Sequence, residues 1–180
     1  MAIRVGGHGK AGVVGYKRPP GARHASSPPE QEANVNDAAS PSDPASAFGR
    51  GNAFARSLGV EMLERGRGSA RFAFTARPQD LNAQGVVHGG MLAGLMDLLL
   101  AMAAGAHPDP AERRFSITLS MTINFVGAAP PGRLICHGRE VGGGRNTVFC
   151  DGRIETADGT LIATGQGSFK LLPAGSEGTQ

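Results

Sequence analysis

The stretch from Asn82 to Ala106 decides the fold: Asn82-Ala-Gln-Gly85-Val-Val-His88-Gly89-Gly90-Met-Leu-Ala-Gly94-Leu-Met-Asp97-Leu-Leu-Leu-Ala101-Met-Ala-Ala-Gly105-Ala106. From Gly90 onward it holds one charged side chain, Asp97. A membrane span needs about 20 apolar residues. This run is shorter, and a carboxylate at mid-bilayer costs about 2.5–3.5 kcal/mol. Amphipathic strand patterns also flank it on both sides, so it is read as a buried helix. At about 100° per residue, Leu92, Leu95, Met96, Leu99 and Ala103 fall on one side, expected to pack on a sheet. Gly90, Gly94, Asp97, Ala101 and Gly105 fall on the other, where small residues admit a neighbouring backbone or a ligand beside the one carboxylate.

Working outward, the flanking segments alternate as strands do. Upstream, Phe54, Ala55 and Leu58 suit a short helix ending at Gly59, Val60 to Leu63 a first strand, and Ala70 to Ala76 a second, joined at Gly66-Arg67-Gly68. Downstream, Ile117, Leu119, Met121, Ile123 and Phe125 alternate with Thr118, Ser120, Thr122 and Asn124. Pro130-Pro131-Gly132, Gly142-Gly143-Gly144 and Asp158-Gly159 then separate strands near Arg133–Val141, Asn146–Thr156 and Leu161–Leu171. Two strands, one helix and a four-strand meander make an α+β domain with its helix laid on an antiparallel sheet.

The chain has 180 residues, and its first quarter differs from the rest. No Leu or Phe precedes Phe48, and six of the 12 prolines lie between Pro19 and Pro44. Residues 1–50 therefore read as a disordered extension, residues 51–173 as the folded domain and 174–180 as a flexible tail. The extension lacks the apolar run of a secretory signal. It also carries most of the net charge of +3, so the folded part is nearly neutral and offers no basic patch for nucleic acid. Cys136 and Cys150 are too few for a disulfide framework and are expected as buried, reduced thiols of a cytoplasmic protein. Neither His107 nor His137 has a companion at metal-ligand spacing, so no metal site is expected.

The loop before the helix carries the chemistry. Two glycines at a helix start present N–H groups free of side chains, and the helix dipole adds about half a positive charge there. That is the makings of an oxyanion hole. A carboxylate two turns further on can activate water or attack directly. Asn82, His88 and Asp97 together with Gly89 and Gly90 form the informative set.

These residues resemble the hotdog-fold thioesterases of the phenylacetate-pathway (PaaI-like) type. The pattern Asn-x-x-Gly-x-x-His-Gly-Gly followed by a helical Asp is matched at Asn82, Gly85, His88, Gly89, Gly90 and Asp97. The strand Met121-Thr-Ile-Asn-Phe125, the turn Pro131-Gly132, Gly144-Arg145 and Asp158-Gly-Thr-Leu-Ile-Ala163 extend the match. The resemblance implies a sheet of about six strands wrapped around one long central helix. It also implies hydrolysis of an acyl-coenzyme A thioester at a homodimer interface, in a dimer or a dimer-of-dimers tetramer, without cofactor.

Carried over, Asp97 is the general base or nucleophile, Asn82 helps hold the water, and the Gly89 N–H polarises the thioester carbonyl with His88 shaping that hole. Thr118 is the strand hydroxyl chosen for the water, ahead of Ser120 and Ser116. Gly90, Gly144, Arg145 and Asn146 are expected to bind substrate, Arg145 through the coenzyme A phosphates. Relatives often carry a basic residue after the Asn-Phe segment. This chain has Val126-Gly127, leaving Arg113, Arg114 or Arg133 as substitutes. Two other readings stand beside hydrolysis: a hotdog 3-hydroxyacyl-thioester dehydratase using a histidine base, and a non-catalytic acyl-thioester-binding module. Asp97 argues against the latter.

Overall fold

The structure, a computed structural model, describes residues 52–173. The proposed extension 1–50 and tail 174–180 lie outside the described residues. The chain opens with α1 (Ala53–Leu58), capped by Asn52, whose Oδ1 accepts from the Ala55 N–H at 2.9 Å. The hairpin of β1 (Glu61–Gly66) and β2 (Ser69–Thr75) follows, then the long helix α2 (Gly89–Ala104). Four strands complete the domain: β3 (Ser116–Phe125), β4 (Arg133–Gly143), β5 (Thr147–Thr156) and β6 (Leu161–Leu171).

All pairings are antiparallel, and the six-stranded sheet runs β1-β2-β4-β5-β6-β3. The expected hotdog arrangement is present: α2 packs against β2 to β6. Leu95, Met96, Leu99, Leu100 and Ala103 are completely buried with Phe72, Phe74, Ile154 and Phe169. Each of these leucine, isoleucine, methionine and phenylalanine side chains contributes about 1.5–3 kcal/mol through burial. Glycines on the sheet let the helix come close. A Cβ on Gly138 or Gly152 would stand 2.9 Å from a Leu99 or Leu100 side-chain carbon. Cys136 and Cys150 are free thiols in this interior, and burial pushes the Cys150 thiol up to about 12. No helix among the described residues is long and apolar enough to cross a membrane.

Two expectations need correction. The four strands after the helix do not form one meander. Only β4, β5 and β6 are consecutive neighbours, while β3 lies at the far edge against β6 and β2 takes the place beside β4. The linker 126–132 makes this possible by crossing the end of the sheet. Val126 and Gly127 donate to the Ile162 carbonyl, Ala129 accepts from Val87, and Gly132 accepts from Ala76.

The second correction concerns the faces of β3. Thr118 pairs with Phe169 and Ser120 with Ser168, so Leu119 is an extra residue in a bulge. One inserted residue reverses which side chains face inward. Ser116 and Thr118 therefore reach the helix on one side of Leu119, whereas Met121 and Ile123 pack on the core beyond it. Thr122 and Asn124 line the opposite face beside His137, Arg139 and Arg153. The uniform alternation of apolar and hydroxyl side chains does not persist along the strand.

Candidate active site

The segment before α2 is fastened by a buried carboxylate. Asp80, 3% exposed, accepts from the Arg77 backbone N–H at 2.8 Å and from the Arg77 guanidinium at 3.0 and 3.2 Å. The Arg77 hydrogen bonds hold the Asp80 carboxyl below the usual carboxylate range, against the opposing effect of burial. The Asp80 carbonyl in turn accepts from the His88 N–H at 2.9 Å. Sequence reading missed this pair. Its signal is Arg77-Pro78-Gln79-Asp80, with proline opening a turn and an acid at capping-box distance.

Between these anchors Asn82 organises a tight loop. Its Oδ1 accepts from the N–H groups of Gln84 at 2.9 Å and Val86 at 3.3 Å, and Gly85 takes a positive φ of 76°. The Asn82 side-chain oxygen is thus committed to the loop, and its NH₂ has no acceptor among the described residues. Asn82 can act on a substrate or water only as a donor.

His88 is the N-cap of α2. Its Nδ1 accepts from the Gly90 N–H at 2.9 Å. This assigns the ring a structural duty and consumes the Gly90 donor, so only one of the two glycine N–H groups expected to be available is so. The Gly89 N–H has no acceptor among the described residues. Phe125, half-exposed at the end of β3, brings its ring Cζ within 3.7 Å of where a Gly89 Cβ would stand. The one helix-start N–H without an acceptor among the described residues is therefore flanked by an apolar ring at the positive end of the helix.

Asp97 lies two turns along α2, partly exposed amid small residues. Thr118 Oγ1 donates to its Oδ1 at 2.7 Å, leaving Oδ2 without a described partner. Of the three candidate strand hydroxyls, Ser116 donates instead to the Ala101 carbonyl at 2.9 Å, and Ser120 lies beyond the bulge. Neither Asn82 nor His88 hydrogen-bonds to Asp97 within the chain. Eight residues of helix separate Gly89 from Asp97, about 12 Å along the axis. One thioester carbonyl cannot touch both in the same protomer.

Gly144, Arg145 and Asn146 form the exposed β4–β5 turn, in which the Arg145 carbonyl accepts from Arg114 and the Asn146 carbonyl from Leu171. The Arg145 guanidinium has no partner among the described residues. The possible substitute arginines are largely committed: Arg114 donates to the carbonyls of Leu171, Leu172 and Arg145, Arg133 pairs with Glu61 at 2.8 Å, and Arg113 donates to His107 and Pro108. A polar depression on the sheet face away from α2 carries the ion pairs Arg139–Asp151 and Arg153–Glu155. It holds none of the expected site residues.

The chain is similar to known proteins over most of its described residues. The Thioesterase superfamily model matches residues 84–163, a span that starts within the loop after Asn82 and contains α2 and strands β3 to β5. A conserved protein of Pseudomonas aeruginosa is 30% identical, with 67% of this chain and 94% of that one covered and a TM-score of 0.61. The chain belongs to the thioesterase superfamily. Hydrolysis of thioesters is the general chemistry that goes with this membership. Among other solved structures, a mutant of the phenylacetic acid degradation protein PaaI from Thermus thermophilus is 27% identical, covering 66% of this chain and 98% of that one at a TM-score of 0.59. Thioesterase superfamily member 2 of zebra fish is also 27% identical, covering 71% and 92% at a TM-score of 0.60.

Proposed function

We propose that the protein is an acyl-coenzyme A thioesterase whose active site is completed between two copies of the chain. The observation that carries this reading is the Asp97 carboxylate on an otherwise apolar helix, oriented by Thr118 at 2.7 Å with its second oxygen open. A partly buried carboxylate with one fixed and one open oxygen is suited to handling a water molecule.

In this reading Asp97 Oδ2 takes a proton from water as the water oxygen attacks the thioester carbonyl carbon. In the nucleophilic variant Asp97 attacks that carbon itself and thiolate leaves; water then cleaves the resulting mixed anhydride, releasing the free acid and the proton that the thiolate takes up. Negative charge gathers on the carbonyl oxygen and is met by the N–H of Gly89 of the partner subunit. The NH₂ of the partner's Asn82 helps hold the water. The C–S bond then breaks, the coenzyme A sulfur recovers the proton, and free acid and thiol leave. The 12 Å estimated between Gly89 and Asp97 in one protomer supports the shared arrangement, as do the exposed apolar residues Ile117 and Leu119 on the edge strand β3. The guanidinium of Arg145, without a partner among the described residues, is the group assigned to coenzyme A phosphates in this reading, with Gly144 and Asn146 shaping its turn. Gly90 contributes by being small rather than as a donor. Coenzyme A is the leaving part of the substrate, and the reading calls for no cofactor.

The dehydratase reading needs a histidine base. His88 is set otherwise: its Nδ1 already accepts from Gly90, which puts the proton of the neutral ring on Nε2. The test of the proposal is thiol release from a panel of acyl- and aryl-coenzyme A thioesters by the full-length protein. Turnover of at least one thioester, with stoichiometric free acid, is expected. Tight binding of acyl-coenzyme A without turnover would identify a binding module, and water loss from 3-hydroxyacyl thioesters without thiol release a dehydratase.

A further inference from the structure

We propose that Phe54 forms the end wall of the acyl pocket and sets the length of acyl group the site accepts. The proposal rests on the thioesterase reading for the location of the thioester, and on independent geometry for the wall itself.

Phe54 lies on α1, far from Asp97 in sequence, yet its ring meets the helix face that carries Asp97. A Cβ on Gly94 would stand 3.1 Å from the ring Cζ and 3.7 Å from Cε1. The ring edge thus occupies the space that a side chain at position 94 would fill. Gly94 precedes Asp97 by three residues, about 4.5 Å along the axis and on the same face. The apolar ring and the open carboxylate oxygen therefore border one patch of helix surface.

The short helix that carries the ring is anchored to the rest of the domain. Ala55 and Leu58 of the same helix are buried in the core, Asn52 caps the start of the helix, and an Arg77 guanidinium N–H donates to the Ser57 carbonyl at 3.3 Å. Phe54 is nonetheless 52% exposed. An aromatic ring with one edge locked against the catalytic helix and much of its surface bare has the form of a wall awaiting an apolar ligand. An acyl chain leaving the carbonyl beside Asp97 along this face runs into it within a few carbons. The ligand class is accordingly a short or compact acyl thioester, with long straight chains excluded.

The test separates the wall from the chemistry by measuring binding as well as turnover. Non-hydrolysable S-alkyl thioether analogues of coenzyme A, with chains of about four and about ten carbons, are titrated into full-length wild type, Phe54→Ala and Phe54→Trp. A change of one methylene in an apolar pocket moves selectivity roughly 10-fold or more. The expected result is a wild-type preference for the short analogue that falls at least about tenfold in Phe54→Ala and sharpens in Phe54→Trp, with the oligomeric state unchanged. An unchanged ratio in both variants would overturn the proposal. So would a Phe54→Ala protein that dissociates, since the ring would then be a subunit contact. Lack of thioester hydrolysis by the wild type would count against the catalytic reading, and the binding ratios would still decide whether Phe54 is the wall.

Discussion

Thr118 and Asp97 meet at 2.7 Å because β3 is bulged at Leu119. Without the extra residue, a strand that buries Met121 and Ile123 would turn Thr118 away from the helix. The bulge places a hydroxyl against the only charged side chain of α2, and that hydroxyl fixes which carboxylate oxygen remains open. A hydrogen bond to a charged group contributes about 1.5–3 kcal/mol. Thr118→Ala is expected to lower kcat roughly 10- to 100-fold, while Thr118→Ser recovers most of it. Steady-state thiol release decides this, and equal losses in both variants would mean that the methyl packing matters rather than the hydroxyl.

His88 acts on the helix start through its bond to the Gly90 N–H. His88→Ala is expected to cost about 1 kcal/mol of stability, the usual loss for an N-cap, and to lower activity by loosening Gly89. Asn is a good cap. His88→Asn should therefore restore the thermal midpoint and most of the turnover. Restored stability with activity still absent would instead make the imidazole a chemical participant.

Asp80 gives the loop an acid-sensitive anchor. Its carboxyl is held low by Arg77 in the folded protein, so its contribution is fully present above the ordinary carboxylate value and disappears as the pH falls through the folded value. Asp80→Asn should lower the melting temperature by a few degrees at pH 7, and the difference should shrink steadily as the pH is taken from about 5 towards 3. Melting curves across that range provide the check. A gap that widened on acidification would contradict the assigned sign.

Local patterns made much of this protein legible. The leucine stripe of α2 is buried as its helical period requires, and β6 runs from Leu161 to Leu171 as the turn at Asp158-Gly159 suggests. Asp97 stood out because a lone charge in an apolar helix needs a reason to be there. Three features were not legible, each for a physical reason. Strand order depends on which edges remain free once α2 has crossed the sheet, and no local pattern records that. The Leu119 bulge leaves no glycine or proline mark, so periodicity alone put Thr118 and Ser120 on one face. The contact of Phe54 with Gly94 joins segments 40 residues apart; only packing reveals it.

The central claim is that the open oxygen of Asp97 performs thioester hydrolysis. The most direct measurement is kcat for thiol release by wild type and Asp97→Asn, using the best thioester of the panel, with circular dichroism and sedimentation confirming that fold and assembly are retained. Loss of a general base or nucleophile costs about 10²–10⁴ in rate. The account predicts a fall of that size with little change in acyl-coenzyme A binding. An Asp97→Asn protein that turns over within about threefold of wild type would contradict it.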